Sequence, residues 1–332
     1  MEKSVEEQFS EGLLHQAARR FGLKEQGLEL LGKFENYVYE GEKDGNRYIL
    51  RLVHSSHREE NMILGELDWL RFLSEQGIKV AKPNPSINGN LVEIISVEKG
   101  YFLVSLFDKA PGKIVDPTNK LEWNGYLFEK WGRTIAEIHR ATKEYQVPND
   151  RIKRPAWDED DLLDLEKYIG NEEEKIINIA KQLVDYLNSL PRDKDSYGLI
   201  HTDIHFGNFF VDGGEITVFD FDDCSYQWYI SDIAIALYYS VWRCVGDKTE
   251  EEKLVFATEF LRAFFRGYNE IHRLDQYWID QLPYFLRLRD IVLYSVLNKK
   301  LDKGNLTERQ IDLLNQIKDR IEKEIPIVTV SL

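Results

Sequence analysis

The residues best suited to chemistry lie in one stretch, His201-Thr202-Asp203-Ile204-His205-Phe206-Gly207-Asn208. It continues through Phe209-Phe210-Val211 and the turn Asp212-Gly213-Gly214-Glu215 into Ile216-Thr217-Val218-Phe219-Asp220-Phe221-Asp222-Asp223. Two β-branched and aromatic runs around a Gly-Gly turn predict a hairpin. If Asp212 pairs with Glu215, the register sets Asn208 opposite Phe219 and carries Asn208 and Asp220 to the same open end, beside the loop that holds Asp203. An amide oxygen and a carboxylate suit a hard cation such as Mg²⁺, and a loop Asp can accept the proton of an attacking hydroxyl.

This arrangement matches phosphoryl transfer in protein kinases. There a catalytic-loop Asp orients the acceptor, an Asn five residues on holds one magnesium ion, and the Asp of a DFG triplet holds another. The segment resembles the aminoglycoside phosphotransferase and choline kinase-like family, nearest to its bacterial homoserine kinase-like branch, whose signature runs approximately HGDxxxxN and then an Asp in a short hydrophobic run. The resemblance implies an α+β, protein-kinase-like two-lobed fold, with a small antiparallel-sheet N-terminal lobe and a larger, mostly helical C-terminal lobe. It also implies ATP-dependent transfer of the γ-phosphoryl group to a hydroxyl, with GTP as the alternative donor. Asp203 is then the catalytic residue, Asn208 and Asp220 hold Mg²⁺, and His201 and Asp232 support the loop. Two positions depart from the pattern. Thr202 stands where the family has Gly, and Asp222 stands where a protein kinase has the Gly of DFG, which makes Asp222 a further candidate metal ligand.

The elements that must position these groups are legible in outline. A helix is expected over 11–21, stopped by Gly22, then strands over 37–41 and 47–53 around the turn Lys43-Asp44-Gly45-Asn46. A helix over 59–76 and strands over 90–96 and 100–107 follow. Ala110-Pro111-Gly112 and Asp116-Pro117 then mark a change of regime. The expected division is 1–104 as a nucleotide-binding lobe, 105–107 as a hinge, and 108–332 as a helical lobe with the catalytic loop and acceptor site. Beyond the boundary the pattern is helical apart from one β region, 209–219. The resemblance implies a phosphate-binding cation on a strand, held by a helix carboxylate. Arg51 in Tyr48-Ile49-Leu50-Arg51-Leu52-Val53 is the candidate, with Glu66 as partner because it falls among Ile63, Leu67, Leu70 and Leu73, and with Glu59 as the alternative. Leu31-Gly32-Lys33-Phe34-Glu35-Asn36-Tyr37 sits where a phosphate-covering loop belongs, Asn36 being its candidate contact, although it lacks GxGxxG; no GxxxxGK[ST] occurs in the chain. Backbone groups of Ser105, Leu106 and Phe107 are expected on the adenine edge.

Composition limits what the protein can serve. The chain has 332 residues, 43% of them hydrophobic, which excludes a disordered chain. Its 43 Lys and Arg stand against 58 Asp and Glu, a net charge of -15 that disfavours nucleic acid as a partner. No apolar run approaches a membrane span, the start has no signal-peptide core, and Cys224 and Cys244 are the only cysteines, so a cytoplasmic setting is expected. The expected partner is a small hydroxyl-bearing molecule that also carries an amine: the run Asp158-Glu159-Asp160-Asp161 and the group Tyr226, Trp228 and Tyr229 would suit a cation, unless they are a solvated face and a core. The competing readings are a hydrolase with His201, Asp203 and His205 on zinc or iron, a Ser/Thr protein kinase of the same family, and an inactive nucleotide-binding protein.

Overall fold

Packing divides the chain into two compact units, one of 1–112 with 145–154 and 217–222, the other of 113–144, 155–216 and 223–332. The structure, a computed structural model, describes residues 3–159, 161–170 and 173–330, so Asp160 of the acidic run lies outside the described residues.

The first unit begins with α1 (Lys3–Glu6) and α2 (Glu11–Phe21), followed by β1 (Glu29–Gly32), β2 (Tyr37–Lys43), β3 (Asn46–His54), α3 (Glu60–Glu75), β4 (Pro83–Asn84), β5 (Glu93–Ser96) and β6 (Tyr101–Asp108). Its six strands form one antiparallel sheet in the order β1-β2-β3-β6-β4, with β5 also on β6. The β2–β3 turn is tight because Asp44 and Gly45 both take positive φ, 52° and 81°, the geometry that continues the strand twist. Strand alternation decides what Arg51 can meet. Leu50 and Leu52 join the core formed with Leu14, Ala17, Ala18 and Phe21 of α2, so Arg51 points to the opposite face. There α3 buries Ile63, Leu67, Leu70 and Leu73, and Glu66 with them. Gly65 lets a later segment close on this helix: a Cβ at that position would lie 2.0 Å from the carbonyl oxygen of Ile152.

The second unit contains α4 (Gly125–Thr142), α5 (Leu165–Tyr168), α6 (Glu174–Asn188), β7 (Tyr197–Ile200), β8 (Phe209–Asp212), the start of β9 (Glu215–Val218) and β10 (Ser225–Trp228). Its remaining helices are α7 (Tyr229–Val245), α8 (Glu250–Tyr268), α9 (Gln276–Asp280), α10 (Leu282–Lys300) and α11 (Glu308–Lys323). Helix α7 is buried on nearly every face, which suits its apolar sequence from Ile230 to Val241. Strands β8 and β9 pair as expected around Gly213 and Gly214, both at positive φ. The expectation of one β region beyond residue 108 was incomplete. Strand β10 pairs antiparallel with β7, Ser225 opposite Ile200 and Trp228 opposite Tyr197. Four-residue strands joined only through non-local pairing carry too short an alternation to be read from sequence. Trp228 and Tyr229 are fully buried, which places them in the core, whereas Tyr226 is half-buried.

Candidate active site

In the helical unit the loop 201–208 leaves the end of β7 and is held from below by α7 (Tyr229–Val245). Asp232, in the first turn of α7, accepts the backbone N–H of His201 at 3.2 Å and of Thr202 at 2.8 Å. The same carboxylate meets His139 Nε2 at 3.1 Å, and His139 Nδ1 meets the Tyr268 hydroxyl at 2.9 Å. Burial holds the His139 pKa below its ordinary value although Asp232 pulls it upward, so at neutral pH this chain is a set of neutral hydrogen bonds around one carboxylate. His201 is fully buried, and its Nδ1 accepts the N–H of Asp203.

Thr202, where the family pattern has Gly, sits at φ 65°, in the left-handed region that a β-branched residue rarely adopts. The hydroxyl offsets that strain: its oxygen lies 2.6 Å from the carbonyl of Asp223 and 2.7 Å from that of His201, either of which accepts its proton.

Asp203 and Asn208 are brought together. The Asn208 amide nitrogen donates to the Asp203 backbone carbonyl at 2.8 Å and to Asp203 Oδ2 at 3.1 Å. With the nitrogen so committed, the oxygen Oδ1 is left as an acceptor. Asp203 is further held by Arg289, which sequence reasoning missed, and by His205, which it named only as a rival metal ligand. Arg289 of α10 donates from Nη2 to Asp203 Oδ1 at 2.5 Å and to the hydroxyl of Tyr239 at 2.5 Å, its guanidinium carbon 4.9 Å from the Tyr239 ring centre. His205 Nε2 lies 3.5 Å from Asp203 Oδ2, and its Nδ1 accepts the N–H of Gly207. Burial raises the Asp203 pKa, but Arg289 and the two histidines outweigh it and hold the carboxyl at about 2. Arg289 stands 86 residues from Asp203, and within α10 it reads as one more polar position on an amphipathic helix; no local signal marks it.

The ring nitrogens of His201 and His205 that face the loop backbone are spent there, which removes them as a zinc or iron pair with Asp203. Among the described residues no three His, Cys, Asp or Glu side chains gather in a way that could hold a metal.

In the sheet unit, Arg51 meets Glu66, not Glu59, through two bonds: Nη1 to Oε1 at 2.8 Å and Nη2 to Oε2 at 2.6 Å. Both side chains are buried. Burial works against the charge on Arg51, but Glu66, Asp222 and Asp220 together push its pKa above the ordinary value. Asp222 is a counter-ion here. His57 Nε2 lies 3.2 Å and Arg58 Nε 3.5 Å from its Oδ2, Arg51 Nη1 lies 4.0 Å from its Oδ1, and Asn36 donates to Oδ2 at 3.4 Å. Against the effect of burial, Arg58, His57 and Arg51 hold the Asp222 carboxyl well below the carboxylate range. Through Asn36, and through Glu35 at 3.3 Å from His57 Nδ1, the loop after β1 is tied to this cluster. Asp220 takes φ 65°, the left-handed region that Asp tolerates better than most residues and that recurs at functional turns. The buried oxygen Oδ1 of Asn36 and the Nε of Arg51 lack hydrogen-bond partners in the protein, as expected of groups reserved for a ligand.

Ser105, Leu106 and Phe107 lie inside the sheet rather than at a free edge. They pair with Arg51, Leu50 and Ile49 of β3, and Leu106 and Phe107 also face Asn84 and Pro83 of β4. Their backbone groups are therefore largely committed to ladder bonds. Asp108 is likewise engaged, its N–H donating to the Lys82 carbonyl.

In the acidic run, Asp161 is occupied by Lys299, Lys167 and the Tyr168 hydroxyl, and Glu159 accepts the N–H of Ala156. These carboxylates are partnered within the protein.

A sheet unit with a buried Arg–Glu pair, and a helical unit with an Asp–Asn loop braced by a helix-start Asp, define a phosphotransferase of protein-kinase-like fold. The model of the phosphotransferase enzyme family APH matches residues 27–277. Amicoumacin kinase of Bacillus subtilis (strain 168) is 40% identical over 318 residues, 96% of this chain and 93% of that protein. A solved structure of amicoumacin kinase, in complex with AMP-PNP, Ca²⁺ and Ami, superposes with a TM-score of 0.94 at 38% identity, covering 100% of this chain and 98% of the other. A microcompartment-associated aminopropanol kinase shares the fold, with a TM-score of 0.74 at 22% identity over 96% of this chain and all of the other. The chain belongs to the APH phosphotransferase family.

Proposed function

We propose that this protein is an ATP-dependent kinase that phosphorylates a hydroxyl of a small amino-bearing molecule of the amicoumacin type. The observation that carries the acceptor class is the match to amicoumacin kinase along nearly the whole chain, at 40% identity. The local geometry agrees with the chemistry. Asn208 fixes Asp203 through Oδ2, and Oδ1, which Arg289 holds in the free protein, is the oxygen that receives the hydrogen of an acceptor hydroxyl once Arg289 gives way. A carboxyl held at about 2 is a weak base, so its work is to align the nucleophile and to take the proton only as the new P–O bond forms.

The residue types suit a hard divalent cation. Asn208 Oδ1 and the Asp220 carboxylate are oxygen ligands of the type Mg²⁺ selects. When bound, Mg²⁺ neutralises charge that builds on the phosphate oxygens. Arg51, fixed by Glu66, presents a permanent positive charge to a nucleotide phosphate, and Asn36 adds a polar contact from the loop after β1. Asp222 holds Arg51, Arg58 and His57 in place through Oδ2 and its charge. The adenine edge is met by those backbone groups near the end of β6 that the β3 and β4 ladders leave free. His201 and Asp232 keep the loop in shape.

The test is transfer from ATP with Mg²⁺ to amicoumacin, alongside choline, ethanolamine, homoserine and hydroxylysine, followed by ADP release and by mass spectrometry of the acceptor. Phosphorylation of amicoumacin well above the others is expected. Absence of transfer to every acceptor from a folded protein that binds ATP would overturn the reading.

A further inference from the structure

The catalytic-loop Asp of this chain is covered by a cation that belongs to no part of the proposed phosphate or metal machinery. Arg289 uses one nitrogen, Nη2, for both of its protein contacts, Asp203 Oδ1 and the Tyr239 hydroxyl. Its Nε is buried and has no hydrogen-bond partner. The Tyr239 oxygen accepts from Arg289, which leaves the hydroxyl proton of Tyr239 without an acceptor among the described residues. Two unused donors, an N–H and an O–H, are thus held beside the oxygen where the acceptor hydroxyl must bind. Buried donors without acceptors are rare in folded proteins and are retained where a ligand completes them.

We propose that Arg289, with Tyr239, determines acceptor specificity by binding a carbonyl or carboxylate oxygen carried on the carbon next to the phosphorylated hydroxyl. The inference rests on the phosphotransferase reading above and adds to it the chemical neighbour of the reacting group. In the free protein Arg289 rests on Asp203. When the acceptor enters, its hydroxyl takes the place at Asp203 Oδ1 and its neighbouring oxygen receives the Arg289 and Tyr239 donors. Arg289 is a positioning residue: it orients the acceptor and takes no proton.

A matched pair of acceptors reads this directly. Isoserinamide and 1-aminopropan-2-ol share the amine and the secondary hydroxyl and differ in a carboxamide against a methyl group. The wild-type protein is expected to favour isoserinamide by about 10- to 100-fold in kcat/KM, the range of one hydrogen bond to a charged group. Arg289→Gln is expected to abolish most of this preference, chiefly through KM for isoserinamide, Arg289→Lys to restore part of it, and Tyr239→Phe to reduce it by a smaller factor. A merely structural Arg289 would depress both acceptors alike and leave their ratio unchanged. Calorimetric binding of the two compounds gives the same comparison without turnover, and thermal melting confirms that each variant is folded. An equal ratio in wild type and Arg289→Gln, or no preference in the wild type, overturns the proposal while leaving phosphotransfer intact. Absence of transfer to amicoumacin and to every other acceptor would instead sink the parent reading.

Discussion

Arg51 and Glu66 face each other as a fork on a fork, with two parallel bonds of 2.8 and 2.6 Å in a buried position on the α3 side of the sheet. Neither charge could stay there alone. The pair exists because β3 alternation sends Arg51 away from the α2 core, and because α3 places Glu66 among Ile63, Leu67 and Leu70.

Breaking that pair from one side should therefore destabilise the protein. Glu66→Ala leaves a buried guanidinium with only the Asp222 cluster to balance it, and a loss of about 3–5 kcal/mol is expected in urea unfolding. Arg51→Lys keeps the charge but not the two-bond geometry; it should raise KM for ATP more than it lowers stability. A Glu66→Ala protein as stable as wild type would show that the pair does not brace the sheet.

Asp203→Asn keeps an oxygen in place for Arg289 while removing the carboxylate. Turnover is expected to fall roughly 10²–10⁴-fold, with KM for ATP little changed. Undiminished ADP release with amicoumacin would remove Asp203 from the role of orienting the nucleophile.

Asp220 and Asp222 should separate cleanly. Asp222→Asn leaves Arg51, Arg58 and His57 crowded around a neutral amide, and the expected result is a lower melting temperature. Asp220→Asn should weaken binding of the magnesium nucleotide at little cost in stability. If Asp222→Asn melted like wild type and lost metal-dependent nucleotide binding, the counter-ion assignment would be wrong.

Thr202 holds a strained backbone through its hydroxyl. Thr202→Val keeps the β-branched bulk and loses the bond, so a loss of about 1–3 kcal/mol is expected. Thr202→Gly relieves the positive φ while losing the same bond, and should fall between wild type and the valine variant. Comparative thermal melts decide it; a valine variant no less stable than wild type would show that the hydroxyl offsets nothing.

Glu93 ties the first unit to acid conditions. Burial raises its pKa, but hydrogen bonds from Ser86, Arg20, Asn90 and Asn88 outweigh this and hold it at about 2. Because the folded value lies below the unfolded one of about 4.3, the stabilisation is complete above that pH and is lost as pH falls toward 2. With Arg20 partly open to solvent, the contribution is about 1–2 kcal/mol. Urea unfolding at pH 6 and pH 3 should show wild type losing more stability than Glu93→Gln; equal losses would contradict the assignment.

How much of this is legible in the sequence depends on the range of the interactions. The hairpins at Asp44-Gly45 and Gly213-Gly214, helix α3 and the Asp203 to Asn208 spacing are local patterns of turn chemistry and periodicity, and they stood in the sequence. The helical wheel of α3 favours Glu66 over Glu59, and Glu66 is the residue that pairs with Arg51. The β7–β10 ladder and the returning segments 145–154 and 217–222 were not visible, because pairing across many residues leaves no mark on either partner taken singly. The same limit hid β4, which arrives from elsewhere to pair with Leu106 and Phe107.

By itself, then, the order of residues determined the kind of chemistry: an oxygen-ligand set and a loop Asp can be recognised by type and spacing, since each lies within a short piece of backbone. The tertiary structure alone decided what each group does with its charge. Asp222 faces two guanidinium groups and an imidazole from other parts of the chain, and Asp203 acquired Arg289 because α10 packs against α7. Burial and charge proximity set those roles, and both are properties of three-dimensional packing that no linear reading contains.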